Sequence, residues 1–210
     1  MIDRYYLNSI GWVRVRQRRA NLLALLNQAI ELLSGPIRMT DLAGGPGRYL
    51  LDLLAQRPDQ DMQVLVRDRD PRGLDEGRRL ADARGERRIQ YTAGDAFDTA
   101  SVASVGPVDL AVVSGLYELF PDNSPLLASL AGLAQAVRPG GYLIYTNQPY
   151  HPQLELIAET LTHGDGSRWV MRCRSSAEMD ELVGQAGFRK LKTLIDDDGI
   201  FSVSLAQRLA

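Results

Sequence analysis

Two hydrophobic rhythms alternate along the chain. Short apolar runs at IRMTDL (37–42), MQVLVRD (62–68), RIQYTAGD (88–95), VDLAVVSG (108–115) and YLIYTNQ (142–148) have the length and flanking turn residues of buried strands. Between them, leucines return every three or four positions. Leu22, Leu25, Leu26, Ala29, Ile30 and Leu33 predict a helix over 18–34, closed by Gly35-Pro36. Leu50, Leu51 and Leu54 mark a second helix, and Asp70-Pro71 opens a third with an N-cap acceptor before a first-turn proline. Asp122-Asn123-Ser124-Pro125 starts a helix that should run to Pro139-Gly140-Gly141, and His151-Pro152 opens one to about Thr162. Ser175 and Glu178 have capping-box spacing ahead of a helix ending at Gly187. FRKLKTLI and GIFSVSLAQR then predict a terminal antiparallel hairpin. Alternation at this spacing predicts an α/β fold, a parallel sheet with helices on both faces.

Composition narrows the function classes. With 210 residues, 45% of them hydrophobic, the chain can bury one core, so it is read as a single domain with an N-terminal helical cap (1–34) and a core (35–210). The net charge of −2 argues against a globally basic nucleic-acid binder. Cys173 is the only cysteine, which excludes a disulfide framework and a multi-cysteine zinc site, and His151 and His163 add little metal-binding capacity. No run approaches the roughly 18 apolar residues of a membrane span. A soluble cytoplasmic protein without a metal is therefore expected, and the sequence leaves open whether it forms a homodimer.

The chemistry begins at MTDLAGGPGRYLLDLL (39–54), where a strand meets a glycine turn and a helix. A P-loop needs Gly-Lys-Ser/Thr, but Arg48-Tyr49 follows Gly47. A dinucleotide fingerprint needs a third glycine where Leu50 stands. What remains is Asp41 at the strand end and the small residues Ala43, Gly44, Gly45 and Gly47, which let backbone approach a ligand closely. A tight turn with no ligand is the plain alternative. Asp68 ends the second strand where a doubly wound nucleotide fold places a carboxylate for ribose hydroxyls, with Arg69 beside it and Asp70 assigned to capping. Gly94-Asp95-Ala96-Phe97 forms a third acid-bearing turn, suited to an adenine amino group with Phe97 packed nearby.

With DLAGGPG, VLVRD, AGDAFD, VRPGGYLIY and SSAEMDELVGQAGF in view, nearly the whole chain resembles the class I S-adenosylmethionine (SAM)-dependent methyltransferases. The resemblance implies a Rossmann-like seven-stranded sheet of order 3-2-1-4-5-7-6 with strand seven antiparallel. It also implies SAM as cofactor and S-adenosylhomocysteine (SAH) as product. Asp41 and the Ala43–Gly47 turn would then carry the methionine part, Asp68 the ribose, and Asp95 with Phe97 the adenine. RYYLNSIGWVRVRQRR, SGLYELFPDN and TNQPYHPQLE are similar to a bacterial methyltransferase group that also occurs fused behind an α/β-hydrolase domain. One departure is Ala43, where the family's E/D-x-G-x-G-x-G has its first glycine.

Candidates for the transfer step follow strands four and five, because open α/β sheets bind ligands beyond the carboxyl ends of their strands. They are Ser114, Tyr117 and Glu118, then Asn147, Tyr150 and His151. Each has a plain alternative: Tyr117 packing under the sheet edge, Glu118 facing solvent, His151 neighbouring a helix cap. Asn147-Gln148-Pro149-Tyr150 is similar to the Asn-Pro-Pro-Tyr motif of amino-methylating enzymes, but follows strand five where that motif follows strand four. Arg14, Arg16, Arg18 and Arg19, with Arg168, Arg172 and Arg174, form two basic clusters. These are read as a salt-bridged lid, with attraction of an anionic acceptor as the functional alternative. Tyr5 and Tyr6 are placed to close over cofactor. The reading is methyl transfer from SAM to a small molecule, without nucleic-acid or membrane partners. Intramolecular SAM cyclisation releasing methylthioadenosine, as in azetidine-carboxylate synthases, uses the same cofactor motifs. A non-catalytic SAM-binding subunit is a reading from a different class, and a nicotinamide oxidoreductase a more distant one.

Overall fold

The structure is a computed structural model that describes residues 8–162, 166 and 168–210. Tyr5, Tyr6 and His163 lie outside these residues. In chain order the elements are α1 (Ile10–Glu31), β1 (Ile37–Leu42), α2 (Arg48–Gln56), β2 (Met62–Asp68), α3 (Pro71–Arg84), β3 (Ile89–Ala93), α4 (Thr99–Ala103), β4 (Val108–Val113), a 3-10 turn (Tyr117–Leu119), α5 (Ser124–Ala136), β5 (Val137–Asn147), α6 (Leu154–Thr160), α7 (Ser176–Gln185), β6 (Phe188–Ile195) and β7 (Ser202–Arg208). The sheet order is β3-β2-β1-β4-β5-β7-β6, with β7 antiparallel to both neighbours. This is the class I methyltransferase sheet.

The central strands are buried on both faces, and their alternation divides the core in two. Leu110, Val112, Tyr142, Ile144, Val203 and Leu205 pack with the leucines of α1 and α2. Ala111, Val113, Leu143, Tyr145 and Ala206 turn the other way, onto α5 and α7. Asp70 caps α3 by accepting from the Arg72 N–H at 3.0 Å, and Ser175 caps α7 by accepting from the Glu178 N–H at 3.1 Å. The Glu178 carboxylate is taken by Asn123 and Arg172.

Several boundaries differ from the expectation: β5 begins at Val137 instead of Tyr142, and β7 at Ser202 instead of Gly199. The first helix begins at Ile10 instead of 18, because its first turns use arginines where a helix usually shows apolar residues. Arg14 pairs with Asp197 and Asp198, and Arg18 with Glu118, so inward positions read as polar. The helix α5 ends at Ala136, three residues before Pro139, because Val137 already pairs with Val108 in the sheet. The helix predicted from His151 starts at Leu154 and ends at Thr160. Among the described residues no helix is long and apolar enough to cross a membrane.

Candidate functional site

All the predicted ligand-binding turns lie at the carboxyl edge of the parallel strands, where the sheet leaves a crevice. Asp41, 1% exposed, ends β1 with its carboxylate underneath the glycine turn. Its Oδ2 accepts from the Tyr49 hydroxyl at 2.7 Å, and its Oδ1 is buried without a partner. Burial, opposed by the Tyr49 hydrogen bond and assisted by the charge of Asp68, raises the Asp41 pKa to about 7. The same burial, with Asp41 adjacent, pushes the Tyr49 phenol well above its ordinary value. Gly44 lies against this carboxylate so closely that a Cβ would overlap it and come within 2.9 Å of Val66 Cγ1.

The departure at Ala43 has a conformational meaning: Ala43 sits at φ 55°, in the left-handed region. An L-residue pays about 1–2 kcal/mol there, so the missing glycine is tolerated by strain and not by a change of backbone.

Asp68 ends β2 on the wall of the next cavity. One oxygen accepts from the Gly45 N–H at 2.9 Å and the other from the Asp70 N–H at 2.8 Å. Asp68 therefore fastens the glycine turn to the second strand as well as facing the crevice. Each oxygen keeps a second lone pair for a ligand. Asp95 accepts from the Phe97 N–H at 2.8 Å, and Phe97 stands edge-on to Phe120 with centroids 4.5 Å apart. Arg69, Asp95, Ala96 and Phe97 line the same cavity, of about 820 Å³.

Three cavities adjoin, sharing wall residues. One of about 260 Å³ holds Asp41, Gly44, Tyr49 and Ser114, and shares Ala43 with the cavity of Asp68 and Asp95. A third, about 480 Å³, is lined by Trp12, Val15, Leu156, Ile157, Met171 and Phe201, and shares Gly115 and Leu119 with the Asp68 cavity. Val15 and Arg18 line both the first and the third. At the meeting point Gly115 has φ 74°, and a Cβ there would come 3.1 Å from the Arg18 guanidinium.

The residues predicted for the transfer step separate. Glu118, 3% exposed, lines the apolar cavity, with Oε1 on Arg18 at 2.9 Å and Oε2 buried without a partner. Arg18 in turn lies 4.6 Å over the Phe201 ring. His151 lines the same cavity, and its Nδ1 accepts from the Gln153 N–H at 3.1 Å. Burial lowers its pKa. Tyr117 belongs elsewhere: its ring is buried among the residues packed on α5, and its hydroxyl pairs with Ser129 at 2.9 Å. Burial raises its pKa. Asn147 is also structural in setting, donating to the Arg174 carbonyl at 2.9 Å, while Tyr150 is 55% exposed and lines none of the three cavities. Tyr117 and Tyr150 follow the predicted strands and Asn147 ends β5, and none of the three lines these cavities.

Among the described residues, four arginines of the two basic clusters form salt bridges, Arg18 among them with Glu118. Arg14 and Arg19 pair with carboxylates, and Arg172 with Glu178. Arg174 is buried and donates to the carbonyls of Tyr117, Phe120 and Asp122 and to Asn123 Oδ1, so it holds the segment after β4 in place. Gly115 and Gln148, inside the stretches predicted after strands four and five, also line the apolar cavity, whereas Tyr49 and Phe201 are not singled out by the sequence and carry no local signal. Among the described residues no group of His, Cys, Asp and Glu could hold a metal ion.

Comparison with known proteins agrees with this geometry. A protein 48% identical over 214 residues, the uncharacterised YnbC of Escherichia coli K12, aligns with 99% of the chain. The chain spans 36% of that relative's length. Among solved structures, a possible exported protein of Bordetella parapertussis superposes with a TM-score of 0.80 at 23% identity, covering 98% of this chain and 72% of that one. Magnesium protoporphyrin IX methyltransferase of Synechocystis PCC 6803, solved with bound SAH, superposes with a TM-score of 0.70 at 17% identity, covering 99% and 98%. A family model described as "Putative methyltransferase" matches residues 1–208, and with the class I sheet beneath that match the chain belongs to this methyltransferase family.

Proposed function

We propose that the chain transfers the methyl group of SAM to a small molecule bound in the apolar cavity beside Gly115. The observation that carries this reading is the adjacency of the three cavities, which share wall residues. A crevice bearing Asp41, Asp68 and Asp95 shares the wall residues Gly115 and Leu119 with an adjacent apolar chamber of about 480 Å³. The residues fit the cofactor. The orphaned Asp41 Oδ1 and the close approach at Gly44 suit an ammonium group and a backbone-hugging ligand, and the Asp68 carboxylate suits vicinal hydroxyls.

Bound SAM supplies an electrophilic sulfonium methyl. The protein's part is to orient the acceptor and exclude water, a proximity effect worth up to roughly 7–11 kcal/mol. Trp12, Leu119, Met171 and Phe201 would exclude water from the acceptor, and Arg18 and Glu118 would position it. A chamber of this size favours an intermolecular acceptor over cyclisation of SAM on itself, which needs no such room.

Mass spectrometry of SAM incubated with the protein and an extract of small metabolites tests the reaction. SAH and a product heavier by one methylene are expected. Accumulation of methylthioadenosine, or SAM left intact with every fraction, would count against it.

A further inference from the structure

The apolar chamber contains one polar contradiction. Among its described lining residues, Arg18 and Glu118 are the ionised pair, joined at 2.9 Å, and His151 is kept neutral by burial. The chamber is thus electrically balanced, yet Glu118 Oε2 lies buried with no hydrogen-bond donor. An ionised oxygen without a donor in apolar surroundings is costly, so a donor reaching it would relieve that cost. The chamber that Glu118 lines is where one can come from.

We propose that this chamber takes a neutral molecule with an apolar body and one O–H or N–H donor, and that the donor docks on Glu118 Oε2. The inference rests on the acceptor reading of the chamber and gives the acceptor's chemical class. A cationic ligand would add a net charge beside Arg18, since Glu118 is already neutralised. An anionic ligand would bring a second acceptor to an oxygen that needs a donor. The neutral donor alone satisfies Oε2 without disturbing the balance. Trp12, Leu156, Ile157, Met171 and Phe201 provide the apolar enclosure for the remainder.

Two probes of one shape test this: 1-naphthol, whose oxygen donates, and 1-methoxynaphthalene, whose oxygen only accepts. Their affinities are measured by calorimetry with the full chain, with and without SAH. In the wild type, 1-naphthol should bind about tenfold or more tightly, the effect of one hydrogen bond to a charged acceptor. In Glu118→Gln the amide can donate to either oxygen, so the preference should shrink to within about threefold. Equal affinities in the wild type, no binding of either probe, or a preference unchanged in Glu118→Gln would each overturn the proposal. The wild-type comparison stands by itself if the variant fails to fold. Absence of SAH binding with the naphthol preference intact would instead remove the methyl-transfer reading and leave the chamber's specificity standing.

Discussion

Removing the Asp68 side chain should cost the protein twice, once without ligand and once with it. In Asp68→Ala the N–H groups of Gly45 and Asp70 lose an ionised acceptor held at 2.9 and 2.8 Å. A hydrogen bond to a charged group contributes about 1.5–3 kcal/mol, and the half-buried carboxylate beside open crevice brings each nearer about 1 kcal/mol. The ligand-free protein should therefore lose about 2 kcal/mol, which for a chain of this size lowers Tm by about 4–8 °C. If Asp68 also holds the ribose, SAH affinity should fall by about 1–3 kcal/mol, roughly 5- to 150-fold. Loosening the turn could weaken binding indirectly, so the assay pairs SAH with its 2′-deoxy analogue in wild type and variant. The wild type should discriminate between the two ligands, and Asp68→Ala should not, because the discriminating group has gone. Unchanged ligand-free stability would refute the fastening role. Equal discrimination in both proteins would refute the ribose role.

Asp41 makes ligand-free stability depend on pH. Its folded-state pKa of about 7 lies above the ordinary 3.8, so the folded state holds the extra proton and stability falls as pH rises from about 4 to about 7. Urea melts should show Asp41→Asn with a flatter slope and a stability advantage at pH 8, but with SAH affinity reduced. Gly44→Ala forces a methyl onto the Asp41 carboxylate and Val66, and should cost about 1–3 kcal/mol of stability and weaken SAH in calorimetry. Unaltered binding would mean that the turn yields at no cost. Tyr117→Phe removes the hydroxyl paired with Ser129 and should cost about 1 kcal/mol in denaturant melts while leaving SAH affinity unchanged. A large loss of SAH affinity would return Tyr117 to the site.

Strands β1 and β2 were legible to the residue, because each is an apolar run bounded by turn residues with an aspartate in its last two positions. The carboxylate-bearing crevice was legible for the same reason: Asp41, Asp68 and Asp95 each lie at or just after the end of a strand, and sheet order brings them together. The acceptor half was harder to read. Trp12 and Arg18 come from α1, Glu118 from the turn after β4, His151 from beyond β5 and Phe201 from the final hairpin, so only long-range packing gathers them. The opening of α1 was hidden because its inward arginines break the helical period until their carboxylate partners are seen. Tyr117 and Asn147 illustrate the opposite error. Their place after a strand was right, but a side chain's direction at a strand end depends on local turns, and here Arg174 and Ser129 capture the segment.

The central claim is that the carboxylate-bearing crevice and the apolar chamber form one methyl-transfer site. A crystal structure of the protein with SAH tests it most directly. The account predicts SAH extended from Asp41 past Asp68 to Asp95, with its sulfur at Gly115 and facing Glu118 across the chamber. SAH bound elsewhere, or bound in the crevice with its sulfur walled off from the chamber, would contradict it.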